Sequence, residues 1–117
     1  MAVPVRVSIP DGSRLSGRAL ENLRAALLAE LRTKAVERAE HEARATSLTG
    51  QTDPDSLLER ELAEMGASRA QQAMGEIERA LGRMDLGTYG WCEACAAPVA
   101  RERLEAIPHA RHCVACS

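Results

Sequence analysis

The chain has 117 residues, 15 basic and 17 acidic side chains for a net charge of −2, and 45% apolar residues that include one Trp, one Tyr and no Phe. So short a chain with so few aromatics does not build a thick globular core, and mixed charge without a basic stripe argues against autonomous binding to duplex nucleic acid. No run of about 18 apolar residues is present to cross a membrane, and Met1-Ala2-Val3-Pro4-Val5-Arg6 lacks the order of a secretory signal, so a cytoplasmic protein is expected.

Val3, Val5, Val7 and Ile9 alternate with Pro4, Arg6 and Ser8 and run into Pro10-Asp11-Gly12, which predicts an extended arm over 1–15 closed by a turn. Pro4 argues against a central strand. From Ser16, a good N-cap, Leu20, Leu23, Leu27, Leu31, Ala35 and Ala39 recur every three or four positions and predict one apolar stripe on a first helix. Thr46-Ser47-Leu48-Thr49-Gly50 ends it with small polar residues and a glycine. A second helix starts either at Asp53-Pro54, an N-cap followed by a favoured first residue, or one turn later at a capping box of Ser56 with Glu59. Its predicted stripe is Leu58, Leu62, Met65, Ala70, Met74, Ile77, Leu81 and Met84, with Gly66 and Gly75 weakening it locally and Gly87 placed to stop it.

Two such helices joined by a short link must run antiparallel, each reaching about 45 Å at about 1.5 Å per residue. The expected fold is mainly α: a long antiparallel helical hairpin, or coiled coil, over 16–86 with its tip near 48–55, followed by a four-cysteine zinc module over 87–117. A hairpin buries one narrow seam, and a domain this small needs a staple.

Cys92, Cys95, Cys113 and Cys116 supply that staple as two C-x2-C pairs with seventeen residues between them. Each pair aims two sulfurs at one point, and four thiolates close the shell of one structural Zn²⁺ with no position left for water. The metal therefore folds the segment rather than doing chemistry. The competing assignments, two disulfides or a redox dithiol, belong to other compartments and spacings. With the shell complete, His112 is expected to stay out of it, as is His109. Tyr89 and Trp91 flank the first cysteine and are expected to pack between the metal loop and the foot of the hairpin. The chain offers no nucleophile with its base, no phosphate loop and no open metal position, so an enzyme is not expected.

The string Glu76-Ile77-Glu78-Arg79-Ala80-Leu81-Gly82-Arg83-Met84 followed by Gly87-Thr88-Tyr89-Gly90-Trp91-Cys92, and the later Arg103-Leu104-Glu105-Ala106-Ile107-Pro108-His109-Ala110 before Cys113 and Cys116, resembles the DksA/TraR family of zinc-finger transcription regulators. The resemblance covers about the last third of the chain. It implies a protein that binds RNA polymerase directly and inserts its coiled-coil tip into the secondary channel to alter initiation, often together with the alarmone ppGpp, without reading a promoter sequence. The tip residues so implied are Asp53, Asp55 and Ser56. The family's tip reads Asp-x-x-Asp-x-Ala; with Asp53 as its first acid, Ser56 stands at the second acid and Leu58 at the alanine, while Asp55 lies one residue earlier, about 100° round a helix. Ala96 stands where the family usually has Gly, a mild change provided φ there stays negative.

Two alternatives belong to the same residues. Arg101, Arg103 and Arg111 give the zinc loop a small basic cluster that would suit a ribbon gripping nucleic acid directly, although Glu93, Glu102 and Glu105 share the region. The four thiolates would also serve as a redox-sensitive switch if oxidants expelled the metal.

Overall fold

Ser16 starts the first helix: its Oγ accepts the Ala19 N–H at 3.0 Å and its carbonyl accepts the Leu20 N–H at 2.9 Å. In the computed structural model, which describes residues 15–117, three helices follow in order: α1 (Gly17–Ser47), α2 (Pro54–Leu86) and a short α3 (Arg101–Ala106). The predicted arm, with Val3 to Ile9 and the turn at Pro10, lies outside the described residues. Among the described residues there is no strand, and an isolated antiparallel bridge joins Trp91 to Pro98. No described helix is long and apolar enough to cross a membrane.

The helix ends follow local chemistry. Of the two starts predicted for α2, the structure takes the first: the Asp53 carboxylate accepts the Ser56 N–H at 3.0 Å, its carbonyl accepts the Leu57 N–H at 3.0 Å, and Pro54 is the first helical residue. At the other end Gly87 takes φ 78°, the Thr88 N–H reaches back to the Arg83 carbonyl at 2.9 Å and the Gly87 N–H to Met84 at 3.3 Å, a Schellman stop.

By packing, the chain falls into two compact units, residues up to Leu28 with Arg79–Ser117, and Ala29–Glu78. In the first unit the foot of the helices and the C-terminal segment share a core: Ala19, Leu23 and Leu27 of α1, Ala80 of α2, and Tyr89, Val99, Leu104 and Ala110 beyond it are all buried. Val99 and Leu104 are fully enclosed, each worth about 1.5–3 kcal/mol of transfer free energy as an upper estimate.

In the second unit α1 and α2 run antiparallel as a hairpin. Arg38 Nη1 donates to Gln71 Oε1, and Arg44 Nη2 donates to Glu59 Oε2 at 2.6 Å, so position rises in one helix as it falls in the other. Its seam departs from the predicted stripes. On α1 the predicted stripe is still half-buried at Ala35 and exposed at Ala39, and the half-buried or buried positions after Leu31 also include Lys34, Glu37, Arg38, His41, Ala45 and Leu48. Each four-residue step turns about 40° past a full helical turn, and the run from Leu27 to Ala39 carries the predicted stripe off the seam. On α2 the inward positions are Ala63, Ala67 and Ala70, and Leu58, Leu62 and Met65 are exposed. The predicted α2 stripe jumps five residues from Met65 to Ala70, a turn of about 140°; its upper part, with Ala70, Met74 and Ile77, faces inward, and its lower part faces solvent.

Candidate functional site

Residues 87–99 form a tight loop around the first cysteine pair. The Cys92 N–H donates to the Ala97 carbonyl at 2.7 Å, the Ala96 N–H to the Cys92 carbonyl at 2.9 Å, and the Val99 N–H to the Gly90 carbonyl at 2.8 Å. This closure places Ala96 at φ 64°. The condition on which Ala96 would be a mild change is not met: the position lies in the left-handed region, where an L side chain costs about 1–2 kcal/mol relative to a glycine that adopts it freely.

The second pair is brought alongside by α3, an element the cysteine spacing alone does not reveal. Its signal was nonetheless present in the Arg101 to Glu105 i,i+4 pair, which forms at 3.1 Å, and in the single apolar Leu104 that it buries. After α3 the Tyr89 hydroxyl donates to the Pro108 carbonyl at 2.7 Å, Arg103 Nε donates to the His112 carbonyl at 3.0 Å, and the Glu93 N–H donates to the Arg111 carbonyl at 2.9 Å, tying the two cysteine loops together. Burial pushes the Tyr89 phenol up to about 12, so it stays a donor at any physiological pH. Arg83 spans from the end of α2 to both loops, with Glu93 at 3.3 Å and the His109 carbonyl at 3.4 Å.

The sulfurs of Cys92, Cys95, Cys113 and Cys116 lie within 4.8 Å of one another. A tetrahedron with metal–sulfur bonds of about 2.3 Å has edges of about 3.8 Å. The Cys95 and Cys113 sulfurs are 3.7 Å apart. The electrostatics agree with that fit. Backbone N–H groups, Cys113's first and then those of Cys95 and Ala94, bring the Cys92 thiol down to about 6, whereas hydrogen bonding among the crowded thiols, with Cys113 foremost, pushes Cys116 up to about 12. Sulfurs so close cannot all ionise without a cation among them, and a divalent metal supplies it. The four cysteines are positioned to hold one structural Zn²⁺. His112 and His109 stand outside the cluster and contribute their carbonyls to Arg103 and Arg83. Tyr89 packs at the helix foot as expected, sharing a groove with Leu20, Arg24 and Met84, while Trp91 is half-buried in the bridge to Pro98.

The basic cluster of the zinc loop is engaged internally: Arg101 with Glu105 at 3.1 Å, Arg111 near Glu93 at 3.9 Å, and Arg103 with the His112 carbonyl.

In the second unit the link between the helices turns through Gly50, at φ 91°. Asp53 and Asp55 are exposed and Ser56 is half-buried, with its hydroxyl donating to Gln51 Oε1 at 3.3 Å. The Ser56 side chain close by, and then the Ser56 backbone N–H that donates to it, hold the Asp53 carboxyl below its usual range.

Residues 87–116 match the family described as prokaryotic dksA/traR C4-type zinc finger. A stretch of 42 residues is 45% identical to an uncharacterized protein of Aquifex aeolicus (strain VF5), covering 36% of this chain and 29% of that one. A stretch of 41 residues is 46% identical to general stress protein 16O of Bacillus subtilis (strain 168), covering 35% of this chain and 25% of the relative. The match thus spans less than a third of either relative. Across 96% of this chain and 90% of the other, the fold is that of transcription factor DksA2 from Pseudomonas aeruginosa, with a TM-score of 0.81 at 21% identity.

Proposed function

Because residues 87–116 match the dksA/traR C4-type zinc-finger family and the chain takes the DksA2 fold, we propose that it regulates transcription by binding RNA polymerase directly. In this reading the loop and first turn of α2 enter the secondary channel and change initiation. One observation carries it: a tight turn between two long antiparallel helices leaves the carboxylates of Asp53 and Asp55 exposed on a rigid helix start. Such carboxylates suit an approach to a Mg²⁺-bearing catalytic centre, where hard oxygen ligands and negative charge act at short range. Ser56, at the position of the second family acid, is held by Gln51 and the Asp53 cap, which leaves Asp55 as the second charge.

The test uses purified RNA polymerase, with and without ppGpp, and the double variant Asp53→Asn, Asp55→Asn. Asn caps a helix about as well as Asp, so the fold stays intact while both charges go. The expected result is retained binding with loss of the effect on initiation. Wild-type protein that neither binds polymerase nor alters initiation sinks the reading, and a double variant with full effect removes the carboxylates from it.

Direct nucleic-acid binding is disfavoured because the arginines of the zinc loop already face carboxylates and carbonyls. A thiol switch is favoured by one observation, the exposure of Cys95 and Cys116 to solvent. Zinc release at mild peroxide, accompanied by altered polymerase binding, is the result that would establish it.

A further inference from the structure

The half-exposed side chains of Leu58 (55%), Leu62 (54%) and Met65 (48%) form an i, i+4, i+7 stripe on α2, turned away from the seam that Ala63, Ala67 and Ala70 make with α1. Leu57, 48% exposed, widens it at the start of the helix. Asp55 and Glu61 stand about 60° to either side of the stripe at about 100° per residue. Between Asp53 and Gly66 five carboxylates accompany one guanidinium, that of Arg60.

We infer that this stripe is a docking surface for a protein partner that presents an apolar face rimmed by basic side chains. Large apolar residues on a solvated helix face weaken solubility and add nothing to the hairpin seam, and a contiguous patch of them marks an interaction site. Charge selects the occupant. Nucleic acid and anionic membrane surfaces are repelled by the acidic borders, and a basic rim is attracted by them. Symmetric pairing of two copies through this face would set its acidic borders against each other, which disfavours a second copy as the occupant. The inference deepens the polymerase reading by naming the chemistry of the surface met along α2, and rests on that reading only for the partner's identity.

Two labelled synthetic helices of equal length serve as probes, one with a leucine stripe flanked by lysines, the other with the same stripe flanked by glutamates. By fluorescence anisotropy the lysine helix is expected to bind the full chain at least about tenfold more tightly than the glutamate helix, and to weaken as salt rises. The triple variant Leu58→Gln, Leu62→Gln, Met65→Gln, with its helicity checked by circular dichroism, is expected to bind it at least about tenfold more weakly. A second variant, Asp55→Lys with Glu61→Lys, leaves the apolar residues in place and should reverse the preference between the two helices. Equal binding of the probes, no binding, or undiminished binding to the triple variant overturns the proposal. So does a concentration-dependent dimer in sedimentation velocity that the triple variant abolishes, since the occupant is then a second copy. If the probe discrimination holds and polymerase does not bind, the polymerase reading fails alone; if polymerase binds and the discrimination is absent, this inference fails alone.

Discussion

The imidazole of His41 fills the notch left by Gly66: a Cβ on that glycine would stand 2.6 Å from His41 Cε1 and 2.7 Å from both ring nitrogens. The pair explains why α2 carries a glycine there, since any side chain at 66 would meet the His41 ring, and the buried or half-buried positions beside it on α2 are Ala63, Ala67 and Ala70.

Gly82 provides the control, because a Cβ there meets nothing within 4 Å. Gly82→Ala is expected to stabilise the protein by about 1 kcal/mol through helix propensity, and Gly66→Ala to gain less or lose, because the methyl must expel the ring. In a His41→Ala background Gly66→Ala should recover the gain. Thermal melts of the four variants measure this; equal gains at both glycines in the wild-type background would remove His41 from the account.

Ala96→Gly relieves the one described non-glycine residue with positive φ. A gain of about 1 kcal/mol in the stability of the zinc-loaded protein is expected. Competition of zinc against a chelator, together with thermal melting, reads it, and a loss of stability would mean that the left-handed turn is not strained.

Arg83 and Arg24 both form ion pairs at the helix foot, in different surroundings. The Arg83 side chain is 11% exposed and reaches Glu93 and the His109 carbonyl, whereas the Arg24 to Asp85 pair is 47% and 68% exposed. Arg83→Ala is therefore expected to cost about 1–3 kcal/mol and Arg24→Ala less than about 1 kcal/mol. Chemical denaturation of the two variants provides the comparison; similar losses would contradict it.

Cys113→Ser removes one of the four sulfurs. Zinc stoichiometry by elemental analysis should fall from one per chain towards zero, and the near-ultraviolet dichroism of Tyr89 and Trp91 should collapse with it. Undiminished zinc in this variant would reject the four-thiolate assignment.

The Asp53 cap carries a pH signature. Its carboxyl titrates below the usual value of 3.8 in the folded protein, because Ser56 donates to the ionised form. The stabilisation is present above that usual value and is lost as pH falls through the lower, folded one. Asp53→Ala should lower the melting temperature at neutral pH, while Asp53→Asn should keep it and show a flatter dependence across the acid window. Melting curves at pH 7 and in the acid range check this; an Asp53→Asn variant as weak as Asp53→Ala would show that the side chain does not cap α2.

Local rules carried much of the reading. Ser16, Asp53-Pro54 and Gly87 mark helix ends by chemistry confined to a few residues, and each does so in the structure. Paired C-x2-C spacing forces sulfurs to converge, and the four are found together. The sequence by itself therefore determined two long helices, a turn between them and a metal-binding foot, because capping, propensity and ligand spacing act within a turn or two of chain.

Which face of each helix meets the other was decided by the tertiary structure. Leu58, Leu62 and Met65 have ideal helical spacing for a seam, yet they are exposed and the buried or half-buried face passes through Ala63, Gly66 and Ala67, where the His41 ring of α1 lies so close to Gly66 that only a glycine leaves it space. Periodicity measures how apolar one face of a helix is; whether that face is buried depends on the size and polarity of side chains distant in sequence. The same holds for Ala96, whose positive φ follows from closing the cysteine loop and not from its own preference. Contact between the two helices set the first outcome, and closure of the cysteine loop on itself set the second.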